Sequence, residues 1–337
     1  MVNQRDVAKQ AKVSFITVSR VINNRDNVKP ETKERVLKVI EELNYHPNSW
    51  GRALNYNRMN TIGVIIPTEQ GVSIHGTYFF NELMIGIESA CTAYFYDMYI
   101  STQKYKATQF DLLKLYYERK VDGIILVSPP MDHPQMNEVE KNNIPCVVIN
   151  ERFDHLKISR VDNDNKGGMF LATEYLIQKG HTKIAFLKGL PGHNSEDRFD
   201  GFQDAMNHHG IPVIPEWVLQ GDFNVKSGEV TLHKLLNQSN LPTAILCSND
   251  LMALGILMEA KKVGLNIPDD LSIVGYDGID TTMYTNPVLT TVKQPAKDMG
   301  YMATKMLIRQ INSSKYSQET KIFPVALIPG ESVKELR

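Results

Sequence analysis

Short apolar runs alternate with helical stretches from Thr61 onward, and this order constrains the fold of the 337-residue chain more than any other feature. Runs rich in valine and isoleucine are typical of strands buried in parallel sheets. We predict strands at 61–67, 97–102, 121–128, 144–150, 182–189, 243–250 and 271–277, with helices between them that include one at 110–120. This order predicts doubly wound parallel sheets covered by helices on both faces. Residues 61–337 exceed one such unit, so we expect two similar α/β subdomains.

Two short amphipathic helices around a tight turn lie before this region. We predict the first at about residues 4–11 and the second at about 15–23. Ser14 is placed to cap the second helix through its hydroxyl. The outward face of the second helix carries Phe15, Ile16, Thr17, Ser19 and Arg20. The spacing is typical of a helix-turn-helix that reads the major groove of DNA, although a helical hairpin in a core has the same periodicity.

A third helix is predicted after these two. It has Pro30 in its first turn and an apolar stripe formed by Val36, Leu37, Ile40 and Leu43. Three short helices are enough for a DNA-binding headpiece. The following segment, 46–60, has little periodicity, and it is either a flexible tether or a segment that becomes helical when docked on DNA.

The charge is divided unevenly along the chain. Residues 1–60 hold 11 Lys and Arg against 6 Asp and Glu, a net charge of +5, and the remainder holds 26 against 32, a net charge of −6. A basic head on an acidic body favours phosphate contact by the head alone.

Several classes of protein are disfavoured by what the sequence lacks. Three widely spaced cysteines (Cys91, Cys146 and Cys247) indicate neither a disulfide framework nor a zinc site. No apolar run has the length of a membrane span, and the N-terminus has no secretory layout, so we expect a cytoplasmic protein with no membrane partner. With no phosphate loop, metal spacing or nucleophile–base pair, we expect no cofactor and no enzyme.

An ordered series of motifs runs along the chain: RDVAKQAKVSFITVSRVIN, NYHPN, DGIILVSP, VDNDNKGG, GHTKIAFLKG, RFDGF, SNDLMALG and IPDDLSIVGYD. This series resembles the LacI/GalR family of bacterial transcription regulators over essentially the whole chain. The resemblance implies a helix-turn-helix headpiece at 1–45, a hinge helix at 46–60 and a core at 61–337 of the periplasmic-binding-protein type I kind. The N-subdomain would comprise about 61–161 and 293–322, and the C-subdomain about 162–292 and 323–337. The chain would cross between the subdomains three times.

The resemblance also assigns DNA contacts. Arg20 is the candidate for a bidentate bond to guanine, and Phe15 and Ile16 offer apolar contacts to bases. Leu54 matches the hinge leucine that wedges into a base step, although the preceding Trp50 and Gly51 depart from the usual small or β-branched residues. The residues expected to contact phosphate or to position the recognition helix are Arg5, Ser14, Thr17, Ser19, Asn23, Tyr45 and Asn48.

The family binds a small ligand between its subdomains, and the matching positions here suit a sugar. Arginine donates and carboxylates accept bidentate hydrogen bonds, as vicinal hydroxyls require. We expect the polar contacts from Asp162, Arg198, Asn249 and Asp277 and the stacking faces from Phe79, Phe80 and Phe223. Asp250 is predicted to cap the following helix. Trp217 and the aromatic segment 78–80 would extend the stacking surface towards an oligosaccharide, and His193 lies in a predicted loop near the cleft.

The leading hypothesis is therefore a homodimeric repressor that binds a pseudo-palindromic operator under the control of a sugar. A dimer is favoured over a tetramer because the segment FPVALIPGESVKELR has no leucine heptads. Within the same family, the ligand is alternatively a purine, or a phosphorylated protein acts as corepressor. A solute-binding protein is a remote alternative, against which the basic headpiece counts.

Overall fold

The structure, a computed structural model, describes residues 2–22, 27–45, 58–66, 68–69, 78–101, 104–105, 111–313 and 317–336. The helices in these ranges are α1 (Gln4–Gln10), α2 (Phe15–Ile22), α3 (Pro30–Glu42), α4 (Tyr78–Tyr94), α5 (Lys114–Tyr117), α6 (Gln135–Lys141), α7 (Asn165–Gln178), α8 (His193–His208), α9 (Val225–Leu236), α10 (Asp250–Lys262) and α11 (Ala296–Asn312). The strands are β1 (Thr61–Ile65), β2 (Thr68–Glu69), β3 (Asp97–Ser101), β4 (Lys104–Tyr105), β5 (Gly123–Val127), β6 (Cys146–Ile149), β7 (Ser159–Asn163), β8 (Ile184–Lys188), β9 (Val218–Gln220), β10 (Ala244–Cys247), β11 (Ser272–Asp277), β12 (Thr290–Lys293), β13 (Thr320–Phe323) and β14 (Ala326–Ile328).

The first three helices pack around a small apolar core of their own. Asn3 begins α1 with a capping box, in which its side chain accepts from the amides of Arg5 and Asp6 while the Asp6 carboxylate accepts from the Asn3 amide. The buried apolar residues are Val7, Ala8, Ala11, Val18, Val21, Val36 and Val39. This core fixes α2 against α1 and α3, as a helix-turn-helix headpiece requires.

The apolar stripe of α3 differs from the prediction at one position. Val36 is fully buried and Ile40 packs against the same core, but Leu37 is 47% exposed and Val39 is buried in its place. Successive helical residues are rotated by about 100°, so position 37 turns away from the face that 36, 39 and 40 share.

The described part of the core contains two six-stranded sheets and a two-stranded sheet of β2 and β4. The first has the order β13-β7-β6-β5-β1-β3 and the second β14-β12-β11-β10-β8-β9. Neighbouring strands are parallel in both sheets, except that β14 runs antiparallel to β12. The predicted doubly wound α/β architecture is therefore confirmed.

Helices cover both faces of each sheet, as the continuous burial along the central strands requires. Side chains from α4 and α11 bury one face of the first sheet, and α5, α6 and the loop after β6 bury the other. On the second sheet, α9 and α10 lie on one face and α7 and α8 on the other. The carboxyl ends of the parallel strands, where ligands bind in open α/β sheets, thereby meet at the junction of the two sheets.

Within the described residues the chain passes from one sheet to the other after β7, β12 and β13. The first and third passages are joined where the Asp164 amide donates to the Phe323 carbonyl at 2.9 Å. The first and second are joined where Asn163 Nδ2 donates to Gln294 Oε1 at 2.6 Å. The three passages therefore lie side by side and are joined by hydrogen bonds.

One predicted helix is much shorter than expected. Of the described part of the segment 110–120, which is 111–120, the α-helical part is Lys114–Tyr117. Arg119 has a φ of 53°, a left-handed conformation that ends the helix.

Candidate functional site

The start of α2 is capped as predicted. The Thr17 amide donates to Ser14 Oγ at 3.1 Å, and the hydroxyls of Ser14 and Thr17 lie 2.9 Å apart. An N-cap of this kind gives a partner to an amide that has none within the helix. The cap holds the first turn of α2 in place, next to the side chains predicted to read bases.

The outer face of α2 is apolar at its start and basic at its end. Phe15 and Ile16 are 49% and 61% exposed, and Arg20 is also exposed, while Val18 and Val21 are buried beneath them. Large exposed apolar side chains on a short helix indicate a surface that meets a partner. The geometry suits major-groove reading by α2.

The other predicted DNA contacts are placed in different ways. Arg5 is exposed on α1, and Ser19 is half-buried. Tyr45 packs against the headpiece core, and burial raises the pKa of its phenol above the ordinary value of 10.0. Three of the predicted contacts, Asn23, Asn48 and Leu54, lie outside the described residues, as do Trp50 and Gly51.

Arg198 projects from α8 at the carboxyl edge of the second sheet and is only 3% exposed. Its Nε donates to Asn165 Oδ1 at 2.8 Å, and its Nη1 donates to the Ser248 carbonyl at 2.5 Å. The guanidinium lies 3.8 Å from the centre of the Tyr276 ring, and Nη1 lies 3.9 Å from Asp277 Oδ1. A guanidinium carries five N–H donors, so these two bonds leave further donors for a ligand.

Asp162 lies near the end of β7 and is 7% exposed. Its Oδ1 accepts from the Asn163 amide at 2.8 Å and from Asn165 Nδ2 at 3.2 Å. Burial raises the pKa of Asp162 to about 6, against the opposing effects of the Asn163 amide and of Arg160 and Arg198. Asn165 thus joins Asp162 to Arg198, because its amide donates to one and accepts from the other.

Asp277 ends β11 with a φ of 122°, in the left-handed half of the backbone map. Gln294 Nε2 donates to its Oδ1 at 2.6 Å. Burial raises the pKa of Asp277 to about 6, while Arg198 and the bond from Gln294 lower it. The site therefore holds two buried carboxyl groups with raised pKa values, of Asp162 and Asp277, near one permanent cation.

Asp277 is also the end of a hydrogen-bond chain that runs through the passages between the sheets. Gln294, which donates to Asp277, accepts from Asn163, and Asn163 Oδ1 accepts from the Tyr276 hydroxyl at 2.9 Å. Tyr276 lies beneath the guanidinium of Arg198. The hydrogen-bond chain connects the polar site to two of the segments in which the chain passes between the sheets.

The cap of α10 is provided by Asn249 and not by Asp250. Asn249 is the N-cap of α10, since its Oδ1 accepts from the Met252 amide at 3.0 Å, and its Nδ2 donates to the Phe223 carbonyl at 2.9 Å. Both ends of the amide have protein partners, so Asn249 supports Phe223 from behind. The capping role predicted for Asp250 is wrong because Asp250 is already the first helical residue.

The predicted stacking residues approach from both subdomains. Phe79 is 9% exposed within the apolar core beneath α4, and it also lines a cavity of about 410 Å³ with Asp277 and Gln294. The Phe80 ring packs edge-on against Phe79, with centroids 5.7 Å apart. Phe223 lies on the opposite side, where Gly189 leaves room for its ring, since a Cβ there would be 1.8 Å from Phe223 Cζ.

Trp217 does not extend this surface. It is 2% exposed in the core between the second sheet and α9 and α10, and its indole donates to the Asn240 carbonyl at 3.2 Å. The prediction that it stacks on a ligand is therefore wrong.

Four buried side-chain atoms of the described residues have no hydrogen-bond partner, and two of them, Asn150 Oδ1 and Ser248 Oγ, directly follow parallel strands. Asn150 follows β6 in the first sheet and Ser248 follows β10 in the second. Neither was predicted, although each ends an apolar run in the sequence (IPCVVIN and TAILCS), which is where a parallel strand delivers polar groups to a ligand. Unpaired buried groups are expensive, so a ligand or water is expected to satisfy them.

A hydrogen bond and an ion pair join the loop after β6 to the first turns of α8, across the junction. Glu151 accepts from a ring nitrogen of His193, and Arg152 Nη1 lies 2.7 Å from Asp197 Oδ2. His193 begins a helix and is not in the loop that was predicted. These contacts connect the two sheets beside Arg198.

Other kinds of site are not found in the part of the chain that the structure describes. Its residues form no group of three or more side chains that would hold a metal ion. None of the described helices has both the length and the apolar character needed to cross a membrane.

The fold and the site together define a class of protein: a helix-turn-helix headpiece joined to a two-subdomain core with a polar cleft. Models of known families divide the chain in the same way. The family of bacterial regulatory proteins called lacI matches residues 4–48, and the periplasmic binding protein-like domain matches residues 173–333.

Individual proteins match over nearly the full length. The HTH-type transcriptional repressor PurR of Aliivibrio salmonicida is 33% identical over 341 residues, which cover 100% of both chains. Among solved structures, the lac repressor dimer bound to operator and the anti-inducer ONPF has a TM-score of 0.87 at 27% identity, with 99% of each chain covered. The complex of the transcriptional regulator CelR with cellobiose has a TM-score of 0.75 at 28% identity, covering 98% of this chain and 100% of that one.

The chain belongs to the lacI family of bacterial regulatory proteins. It is a DNA-binding transcriptional regulator and not an enzyme, as the sequence predicts. The core that follows the headpiece is of the ligand-binding kind.

Proposed function

We propose that the chain is a homodimeric repressor whose affinity for a pseudo-palindromic operator is controlled by a sugar bound between the two core subdomains. The observation that carries the proposal is the buried guanidinium of Arg198, set among the carboxyl groups of Asp162 and Asp277. Such a set offers fixed donors beside strong acceptors, which is what a pair of neighbouring hydroxyl groups bonds to best. The regulator acts in the cytoplasm, where its operator is.

The apolar side of the cleft supports a sugar as well. Phe79 lines the cavity beside Asp277, and the Phe223 ring lies over Gly189, directly after β8 of the second sheet. Aromatic faces of this kind suit the C–H faces of a pyranose or furanose ring. The unpartnered atoms of Asn150 and Ser248 add further positions for ligand hydroxyls. CelR, a structural neighbour of this chain, binds cellobiose.

Control of DNA affinity follows from the position of the cleft. A ligand that contacts Arg198 and Asp277 also contacts the hydrogen-bond chain through Gln294 and Asn163, which lies in the passages between the subdomains. Closing or opening the cleft therefore changes the angle between the subdomains and the spacing of the two headpieces in a dimer. The lac repressor neighbour is a dimer bound to operator and an anti-inducer together.

Exposed apolar side chains support the homodimer. On the first subdomain they lie at and near the edge strand β3, with Phe95 90% exposed and Tyr99 46% exposed. On the second, Met283 and Tyr284 are 69% and 88% exposed. Patches of this kind mark protein interfaces. Equilibrium sedimentation of wild type and of Tyr99→Asp/Tyr284→Asp tests the assignment: a dimer that persists in the variant would contradict it.

DNA reading is assigned to α2 and the hinge. Arg20 reads guanine, Phe15 and Ile16 contact bases through apolar groups, and Leu54 wedges into the centre of the operator. A fluorescence titration of the protein's own promoter DNA over a salt series tests this part. We expect affinity to fall steeply with salt, since phosphate contacts release counterions. Binding that is absent at low salt, or insensitive to salt, contradicts the proposal.

The ligand is identified by a thermal-shift panel of sugars, sugar phosphates and purines, with cellobiose and D-ribose among the sugars. We expect a neutral sugar to give the largest shift in wild type. A purine that outranks every sugar would refute the sugar assignment and leave the regulator intact. A panel in which nothing shifts the melting temperature would point to control by a protein partner.

A further inference from the structure

The polar cleft depends on a backbone turn that an L-residue rarely adopts. Asp277 has a φ of 122° and Gly278 a φ of 69°. A Cβ at Gly278 would lie 2.7 Å from Lys293 Cα, so the turn is pressed against β12. Backbone of this kind costs on the order of 1–3 kcal/mol and persists only where its surroundings hold it.

The group that holds the turn is the carboxyl of Asp250. Its Oδ2 accepts from the Ile279 amide at 2.9 Å, and its Oδ1 accepts from the Thr291 hydroxyl at 2.6 Å. Thr291 Oγ1 in turn accepts from the Gly278 amide at 3.3 Å. One carboxyl therefore anchors both amides that follow Asp277, one directly and one through a hydroxyl.

The sheet is shaped to admit this carboxyl. Asp250 is 0% exposed, and its Oδ1 would lie 2.1 Å from a Cβ at position 275, where the chain has glycine. Any side chain at Gly275 would push Asp250 away from the turn. A buried carboxyl is retained in a core only where its hydrogen bonds compensate for lost hydration.

We infer that Asp250 is a positioning residue, which sets the carboxylate of Asp277 for the ligand through the Gly278–Ile279 amides without touching the ligand itself. The inference rests on the proposed ligand-binding role of Asp277. The bond from Gln294 and the nearby Arg198 are then enough to orient the Asp277 side chain towards the cleft, because Asp250 holds the backbone of the turn that follows.

Hydrogen exchange of the full-length protein without ligand tests the anchoring. We expect peptides that cover 276–281 to exchange about tenfold faster in Asp250→Asn and in Thr291→Val, because a buried hydrogen bond is lost in each. Thr291→Ser keeps the hydroxyl and should keep the protection. The matched control is Asp270→Asn, which removes an acceptor for the Asn266 amide at the other end of β11 and should leave these peptides unchanged.

Two exchange results would overturn the inference. One is equal protection of 276–281 in wild type and Asp250→Asn. The other is exchange that rises as much in β8 and β10 as in the turn, which would make Asp250 a support of the whole sheet. If Asp250→Asn does not fold, the pair Thr291→Val and Thr291→Ser decides the same question.

A double-mutant cycle tests the link to the ligand, with cellobiose and D-ribose as probes in calorimetry. We expect Asp250→Asn to weaken binding about tenfold in wild type and to have no further effect in Asp277→Asn. Equal weakening in both backgrounds would overturn the inference. Failure of both sugars to bind wild type would count against the proposed sugar function alone, since the exchange result does not depend on a ligand.

Discussion

Replacing Arg198 with methionine is the sharpest test of the ligand cleft. Methionine keeps an unbranched apolar stem over the Tyr276 ring and removes the charge together with the bonds to Asn165 and the Ser248 carbonyl. At 3.9 Å and an effective dielectric constant of 20, the attraction between Arg198 and Asp277 is roughly 4 kcal/mol before desolvation is subtracted. Each hydrogen bond from the guanidinium to a sugar hydroxyl contributes about 1.5–3 kcal/mol, so its loss weakens affinity by about ten- to a hundredfold.

Isothermal titration with the best sugar of the panel measures this loss. Arg198→Lys keeps the charge and loses the planar fork, and we expect its affinity to lie between wild type and Arg198→Met. Removal of one partner of a buried ion pair destabilises a protein by about 3–5 kcal/mol, so circular dichroism and sedimentation are needed to check that each variant is folded. A folded Arg198→Met protein that binds the sugar as tightly as wild type refutes the assignment of the cleft.

Four further predictions concern other parts of the molecule. Burial raises the pKa of Asp277 from 3.8 to about 6, so the folded state holds this proton more tightly than the unfolded chain. The free energy of unfolding of wild type should therefore fall by roughly 3 kcal/mol relative to that of Asp277→Asn as the pH rises from about 3 to about 7. A difference between the two proteins that does not change with pH in denaturant titrations would contradict this. Gly189→Ala displaces the Phe223 ring and should weaken sugar binding about tenfold, whereas unchanged calorimetric affinity would remove Phe223 from the site. Ser14→Ala should cost about 1 kcal/mol of α2 stability, seen as faster exchange of its first amides, and equal exchange would argue against the cap. Arg20→Ala should cost about 1–3 kcal/mol of operator affinity and relax the discrimination at one base pair, as measured by fluorescence anisotropy with operators that differ at that base pair. If the variant discriminates between these operators as well as wild type, another side chain reads that base.

The sheets were predictable because their central strands are continuous apolar runs. Residues 123–127 and 184–188 are almost entirely buried, and burial on both faces leaves a Val- and Ile-rich signature. The peripheral strands were missed for the same reason. Strand β12 has the sequence TTVK and β9 has three half-exposed or exposed residues, so neither carries such a run. Their positions depend on pairing with neighbours distant in the sequence.

Much of the cleft was predictable as a list of residues but not as a set of bonds. Asp162, Arg198 and Asp277 were all predicted, and the structure brings them together around Asn165 and Gln294. The choice of helix cap between two adjacent residues, however, depends on the backbone angles at one position. The sequence predicts the cap at Asp250, whereas Asn249 has the extended conformation of an N-cap. The anchoring bonds of Asp250 span 29 and 41 residues, a separation beyond local pattern.

The central claim is that occupation of the cleft changes the affinity of the headpiece for DNA. Fluorescence anisotropy of labelled promoter DNA, titrated with the protein at saturating and at zero concentrations of the best sugar, measures this coupling directly. We predict that the sugar changes the dissociation constant of wild type by about fivefold or more, and that Arg198→Met shows no change at the same sugar concentration. The account is contradicted if calorimetry shows that the sugar binds wild type and the affinity of wild type for DNA is the same with and without the sugar.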